Sequence, residues 1–256
     1  MKPEEIAAYI GAAAWLPQIF IWVYHLLVKT KLKIIPEKFA SIGYTSFGPI
    51  FNIRMALLAK NRDLIVDGID VVIRHEDGDC HQMQWSGLAE TFSEITDLSG
   101  NKQTVGRDQT PIAIKVGTNL FLEKLVRFQE PAFISADATL IKKVVGHFNF
   151  LKQARPDSYV DEVLNSKEMF DLIELRKKWF WWKPGKYEVD FQVRSPDKFY
   201  LDQSKFSFEL SKVDLDDLLQ NGISIEADLR NTIRSNLTDF KPEVFSWKWV
   251  SAVLMR

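Results

Sequence analysis

Hydrophobic side chains recur along this chain with three spacings, and each predicts a different element. From Ile6 to Val28 they are nearly continuous, with no Asp, Glu, Lys or Arg over 23 residues. A helix rises about 1.5 Å per residue, so this run is long enough to cross a hydrocarbon core of about 30 Å. From Ile50 the spacing is two. Phe51, Ile53, Met55 and Leu57 alternate with Asn52, Arg54 and Ala56, as in a half-buried strand. From Leu140 it is helical: Ile141, Val144, Val145, Phe148 and Leu151 share a stripe, behind candidate caps at Ser135 or Asp137.

The rest of the chain is read the same way. Asn61-Arg62-Asp63 makes a turn, and a strand follows from about Leu64 to His75. If Glu76-Asp77-Gly78 is a three-residue hairpin loop with Gly78 left-handed, Ile69 faces Trp85, Val71 faces Met83 and Ile73 faces His81. That register gathers apolar side chains on one face, which the two-residue alternative does not. Residues 88–110 are polar and turn-rich and are expected to form a long exposed loop. Pro111 to Val116 and Thr118 to Gln129 read as two more strands. Arg155-Pro156-Asp157 breaks the first helix. A second begins near Ser158, acidic at its start (Asp161, Glu162) and basic at its end, the order the helix dipole favours. Together they make a helical insertion at about 136–181. Strands resume at Val189, Phe191 and Val193, and again at Phe206, Phe208 and Leu210. Asp214 to Leu219 is expected as a short helix stopped by Asn221-Gly222, with Ile223, Ile225, Ala227 and Leu229 alternating as a strand.

Seven or eight strands without repeated strand–helix–strand alternation fit a sandwich rather than a parallel α/β fold. Trp182-Lys183-Pro184-Gly185-Lys186-Tyr187, leading into an alternating strand, resembles the tyrosine corner of immunoglobulin-like domains. The expected fold is mainly β: an immunoglobulin-like antiparallel β-sandwich with a helical insertion, preceded by one N-terminal transmembrane helix. Its divisions are an anchor at 1–30, a juxtamembrane linker at 31–40 and the sandwich at 41–256.

Charge gives the first run a direction. Lys29, Lys31, Lys33 and Lys38 follow it and only Lys2 precedes it, so the positive-inside rule puts the bulk of the chain in the cytoplasm. Trp15, Trp22 and Tyr24 supply aromatics to the anchor, the latter two near an interface. A cleaved signal peptide is disfavoured, because the first five residues are slightly acidic and the small residues Ala12 to Ala14 lie mid-run. The lone Cys80 allows no intramolecular disulfide, in keeping with a reducing compartment. A net charge of −1 provides no global attraction to nucleic acid.

The chemistry is sparse. His75, Asp79, Cys80 and His81 are the densest set of metal-ligand types, but the hairpin register sends them to opposite faces, so no metal and no cofactor is expected. Arg176 to Lys186 holds five basic residues and no acidic one, interleaved with aromatics. Arg176, Lys177, Lys178, Trp179, Trp181, Trp182 and Lys183 are the candidate surface for membrane or a partner, since cations attract anionic lipid and Trp favours the interface. The competing reading is that the aromatics cap the core. Phe245, Trp247 and Trp249 alternate as a last strand or an exposed apolar edge. No phosphate loop, nucleophile elbow or zinc-protease helix is present in the sequence. The expectation is a membrane-anchored cytosolic module that binds another protein and is not an enzyme. The alternatives are an exported ligand-binding sandwich and a metal-dependent hydrolase.

Overall fold

The computed structural model describes residues 14–96, 102–109, 112–118, 121–155, 157–237 and 239–256. The first third of the apolar run, Ile6 to Ala13, lies outside them, as do Gly100-Asn101, Pro111 and Thr238. Helix α1 (Leu16–Leu27) leads into strands β1 (Thr30–Thr45), β2 (Gly48–Lys60), β3 (Leu64–Val66) and β4 (Gly68–His75). Then come β5 (Cys80–Thr96), β6 (Lys102–Gln109), β7 (Ile114–Val116) and β8 (Leu122–Gln129). Helices α2 (Pro131–Ala154), α3 (Tyr159–Leu164) and α4 (Lys167–Lys178) follow. The chain ends with β9 (Gly185–Arg194), β10 (Phe199–Asp202), β11 (Lys205–Leu210), helix α5 (Lys212–Arg234) and β12 (Trp249–Val253).

Ten strands hydrogen-bond in one curled sheet: eight along the path β10-β1-β2-β8-β5-β4-β9-β11, with β12 added on β1 and β6 on β5. The last segment of the chain joins its ends. β12 pairs antiparallel with β1, placing Val250 opposite Ile42 and Ala252 opposite Ala40. Just beyond it, Met255 exchanges two 2.8 Å backbone hydrogen bonds with Ser207 of β11. Period-two alternation then makes the interior: Phe51, Ile53 and Met55 from β2, Val71 and Ile73 from β4, Tyr187, Val189 and Phe191 from β9, Phe206 and Phe208 from β11 all face one buried core. The continuous curled sheet takes the place of the two facing sheets expected from the sequence.

Two bulges let the sheet curl without losing that alternation. Pairing of β1 with β2 moves from Pro36 opposite Met55 to Ala40 opposite Ile53, leaving two extra residues on β1, so parity is kept. A proline, which has no N–H for the ladder, is at home beside such an irregularity. In β5, Trp85 faces Phe128 and Gly87 faces Arg127, so Ser86 is one extra residue and the inward positions switch from odd to even. That switch puts both Met83 and Leu88 in the core.

Three segments differ from the sequence reading. Residues 31–40, expected as a linker, belong to β1, paired with β2 and β10. Residues 88–110, expected as a loop, contain the β5–β6 hairpin, with Leu88 opposite Gln109 and Thr96 opposite Lys102. Polar composition hid it, because a strand is read from an alternation of apolar and polar residues that this segment lacks. The expected short helix and strand at 214–229 are one helix, α5. Leu215, Leu218, Ile225 and Leu229 are its buried stripe, and Ile223 is exposed. Asn221 does not stop it, because its amide is fully engaged: Nδ2 donates to the Lys248 carbonyl at 2.8 Å and Oδ1 accepts from the Lys248 N–H at 2.7 Å. Ser211 and Asp214 form a capping box at its start.

Helices α2 to α5 form a second layer with its own cluster, centred on Val163, Met169, Leu172 and Ile225. α5 lies against β1 and β12, and Tyr44 of β1 projects into the helical cluster. Phe180 packs on both clusters and joins the layers.

Candidate functional site

Helix α1 and the sheet meet without a spacer. Only Val28 and Lys29 separate α1 from the first residue of β1. Asn61, in the left-handed conformation (φ 77°) at the end of β2, donates from its side-chain amide to the Lys29 carbonyl at 2.9 Å. All positions from Ala14 to Tyr24 are exposed, including Trp15, Phe20 and Trp22, so α1 is apolar and open on every face. Pro17 falls in its first turn, where a missing N–H costs little. No helix among the described residues is long and apolar enough to cross a membrane.

A basic collar flanks this exit on the β1–β2 side, while on the β10 side Asp202 stands opposite Lys33. Leu32 and Ile34 point into the core, so Lys31 and Lys33 point outward. Register places Lys31 directly opposite Lys60, with exposed Arg62 two residues on and exposed Lys29 behind. Like charges opposed across a ladder repel and cost stability unless an anion lies against them. Among the described residues, no carboxylate forms an ion pair with Lys29, Lys31, Lys33, Lys60 or Arg62. Tyr200, opposite Lys31 on the other flank, is exposed.

The aromatic–basic segment is built differently. Arg176 is buried, and its Nε and Nη2 donate to the two carboxylate oxygens of Asp137 at 2.7 and 3.2 Å. Lys177 pairs with Glu226, and Lys178 lies 3.7 Å from Glu174. Lys183 Nζ reaches both Asp77 and Asp79 at 2.9 Å. The indole N–H groups of Trp179 and Trp181 both donate to Glu130 Oε2, at 2.8 and 3.2 Å. Trp182 lies in the sheet core. Arg176 and Trp182 are therefore interior residues, a correction to their reading as surface. Lys177 and Lys183 are paired with acids from distant segments, which no local pattern could reveal, whereas Lys178 has its acid four residues back on the same helix.

The hairpin before it has the register expected: Val71 faces Met83, Ile73 faces His81, and Gly78 is left-handed at φ 96°. Its acids are committed. Hydrogen bonds from Lys183 hold both Asp77 and Asp79 below the ordinary carboxylate range. His75 is buried, with Nδ1 2.9 Å from Asp77, and His81 stacks on Trp181 at 3.9 Å. Burial pushes Glu130 up, but hydrogen bonds from His81, Trp179 and Trp181 outweigh it and leave the carboxyl below its usual range. Among the described residues no group of three or more His, Cys, Asp or Glu is placed to hold a metal ion. The Tyr187 hydroxyl accepts from the Lys183 N–H at 2.6 Å and donates to the Lys183 carbonyl at 2.9 Å, so the segment closes as a corner.

Of the C-terminal aromatics Phe245, Trp247 and Trp249, the latter two make an outer groove of about 300 Å³ with Phe47, Asn52 and Gln129. Trp249 covers the backbone of Gly43: a Cβ there would fall 2.2 Å from Trp249 Cζ3. Of these three aromatics only Trp249 belongs to β12, while Phe245 and Trp247 precede it in irregular backbone.

The sequence reading found the anchor lysines but missed Lys60 and Arg62. Seeing them required the pairing of β1 with β2, and the first half of β1 had been read as linker. No protein-family model matches the chain, and no curated protein matches it.

Proposed function

We propose that this chain is a single-pass membrane protein whose sheet-rich body is held close against the bilayer on the cytoplasmic side, where it serves as an interaction or scaffolding module for another protein. One observation carries the reading: an apolar helix, exposed at every position from Ala14 to Tyr24, enters a clamped basic collar that has no ion pair among the described residues, with no flexible linker. Burying such a helix in lipid removes its apolar surface from water, at roughly 25 cal/mol per Å². Each collar cation adds about 1 kcal/mol near an anionic leaflet. The outer groove of Phe47, Trp247 and Trp249 is the surface assigned to the partner, because aromatic side chains left open to water are typical binding anchors. The immunoglobulin-like reading of the body is kept as a proposal on the Tyr187 corner alone.

Fractionation tests the anchor. The full chain is expected in alkaline-washed membranes, and a chain lacking residues 1–28 is expected in the supernatant. A full chain that stays in the supernatant without detergent overturns the reading. Vesicle flotation tests the collar: in the truncated chain, Lys31→Glu with Lys60→Glu is expected to abolish residual binding to anionic vesicles, whereas Lys177→Glu leaves it unchanged.

A further inference from the structure

Helices α2, α4 and α5 enclose a cavity of about 230 Å³ against the turn between β1 and β2. An apolar cavity of about 150 Å³ can hold a benzene molecule, so this one has room for a ring bearing a short chain. Its floor is buried, on Val144, Met169, Leu172 and Leu229. Its rim is apolar yet open to water, with Phe47 68% and Val145 49% exposed.

Three charged side chains line the cavity, and they do not cancel. Asp137 and Arg176 neutralise one another through their two hydrogen bonds. Asp228 on α5 has no such partner: its Oδ2 accepts the hydroxyl of buried Ser46, and among the described residues no Lys or Arg pairs with it. A partly buried carboxylate beside apolar walls is poorly solvated, and a charge-assisted N–H bond is the strongest compensation open to it.

We propose that this cavity binds a small organic amine, with its ammonium group on Asp228 and its compact apolar body against Leu172 and Leu229. An anion seated on Arg176, whose guanidinium keeps donors beyond the two given to Asp137, is the rival occupant.

Met169 supplies the reporter, as one of five methionines. The full-length protein is labelled with ¹³C at the methionine methyls, and the Met169 signal is identified by its loss in Met169→Leu. Benzylamine, benzyl alcohol and benzoate are then titrated at neutral pH. Benzylamine is expected to shift the Met169 signal saturably, with the alcohol weaker by about tenfold and benzoate without effect, because only the amine brings a positive charge to the carboxylate. Asp228→Asn should weaken the amine by about tenfold while the alcohol is unchanged, a comparison in which any partition into detergent cancels. Val145→Trp, at the open rim where a fold defect is not expected, should close the site to all three. The proposal is overturned by no saturable shift, by equal affinities for the three compounds, by a preference for benzoate, or by amine binding that survives both substitutions.

Discussion

Gly43 and Trp249 show how one residue fixes another's position. The indole lies where a Cβ at 43 would be, on the outer face of the strand pair that closes the sheet. Gly43→Ala is expected to cost about 1–3 kcal/mol in denaturant unfolding, the usual range for overpacking. Trp249→Ala should relieve most of that cost in the double variant; additive losses would show that the contact is not the cause. The Asp137–Arg176 pair is the other residue-scale constraint. Breaking a buried pair by removing one member strands the remaining charge, at about 3–5 kcal/mol, whereas an apolar replacement of both is near neutral. Arg176→Met should therefore destabilise far more than Arg176→Met combined with Asp137→Leu, as read from urea midpoints.

At the scale of elements, the hairpin tip of β4–β5 is tied to the corner before β9 by Lys183. Asp77 and Asp79 have folded-state pKa values below their unfolded ones, so the stability they contribute is complete above the unfolded value, about pH 4. It is lost as pH falls through the lower folded values. The urea midpoint of the wild type should accordingly drop on the acid side of pH 4, and Lys183→Met should flatten that slope while lowering the neutral-pH midpoint. An unchanged slope in the variant would remove the tie. Helix α5 teaches a related lesson about elements. Its Asn221-Gly222 pair reads as a stop in sequence, but the Asn side chain has a partner in Lys248, so helix and buried stripe continue past it.

At the scale of the molecule, the proposed anchoring requires the curled sheet, the helical layer and α1 to share a single orientation to the bilayer. Cys80 reports it, being a free and exposed thiol on the tip hairpin. With the body cytoplasmic, a membrane-impermeant maleimide should label Cys80 in permeabilised cells and leave it unmodified in intact ones. Labelling in intact cells would invert the topology and, with it, the role of the collar. The arrangement also explains why the basic segment at 176–183 misled the reading. Arg176, Lys177 and Lys183 are spent on Asp137, Glu226, Asp77 and Asp79 within the body, whereas among the described residues Lys29, Lys31, Lys60 and Arg62, where α1 enters the sheet, form no ion pair.

The sequence alone determined what depends on neighbours along the chain. The alternation of Phe51, Ile53 and Met55, the register of the Glu76–Gly78 hairpin, the helical stripe from Leu140 and the apolar run at the N-terminus were all legible, because periodicity and turn chemistry are local. What depends on distant partners was not. The closing of the sheet through Met255 and Ser207, the strand hidden in residues 31–40, the burial of Arg176 against Asp137, and the lone Asp228 beside an apolar cavity belong to tertiary structure. Each turns on which segments the fold brings together, and pairing energies between residues far apart in sequence leave no trace in local spacing.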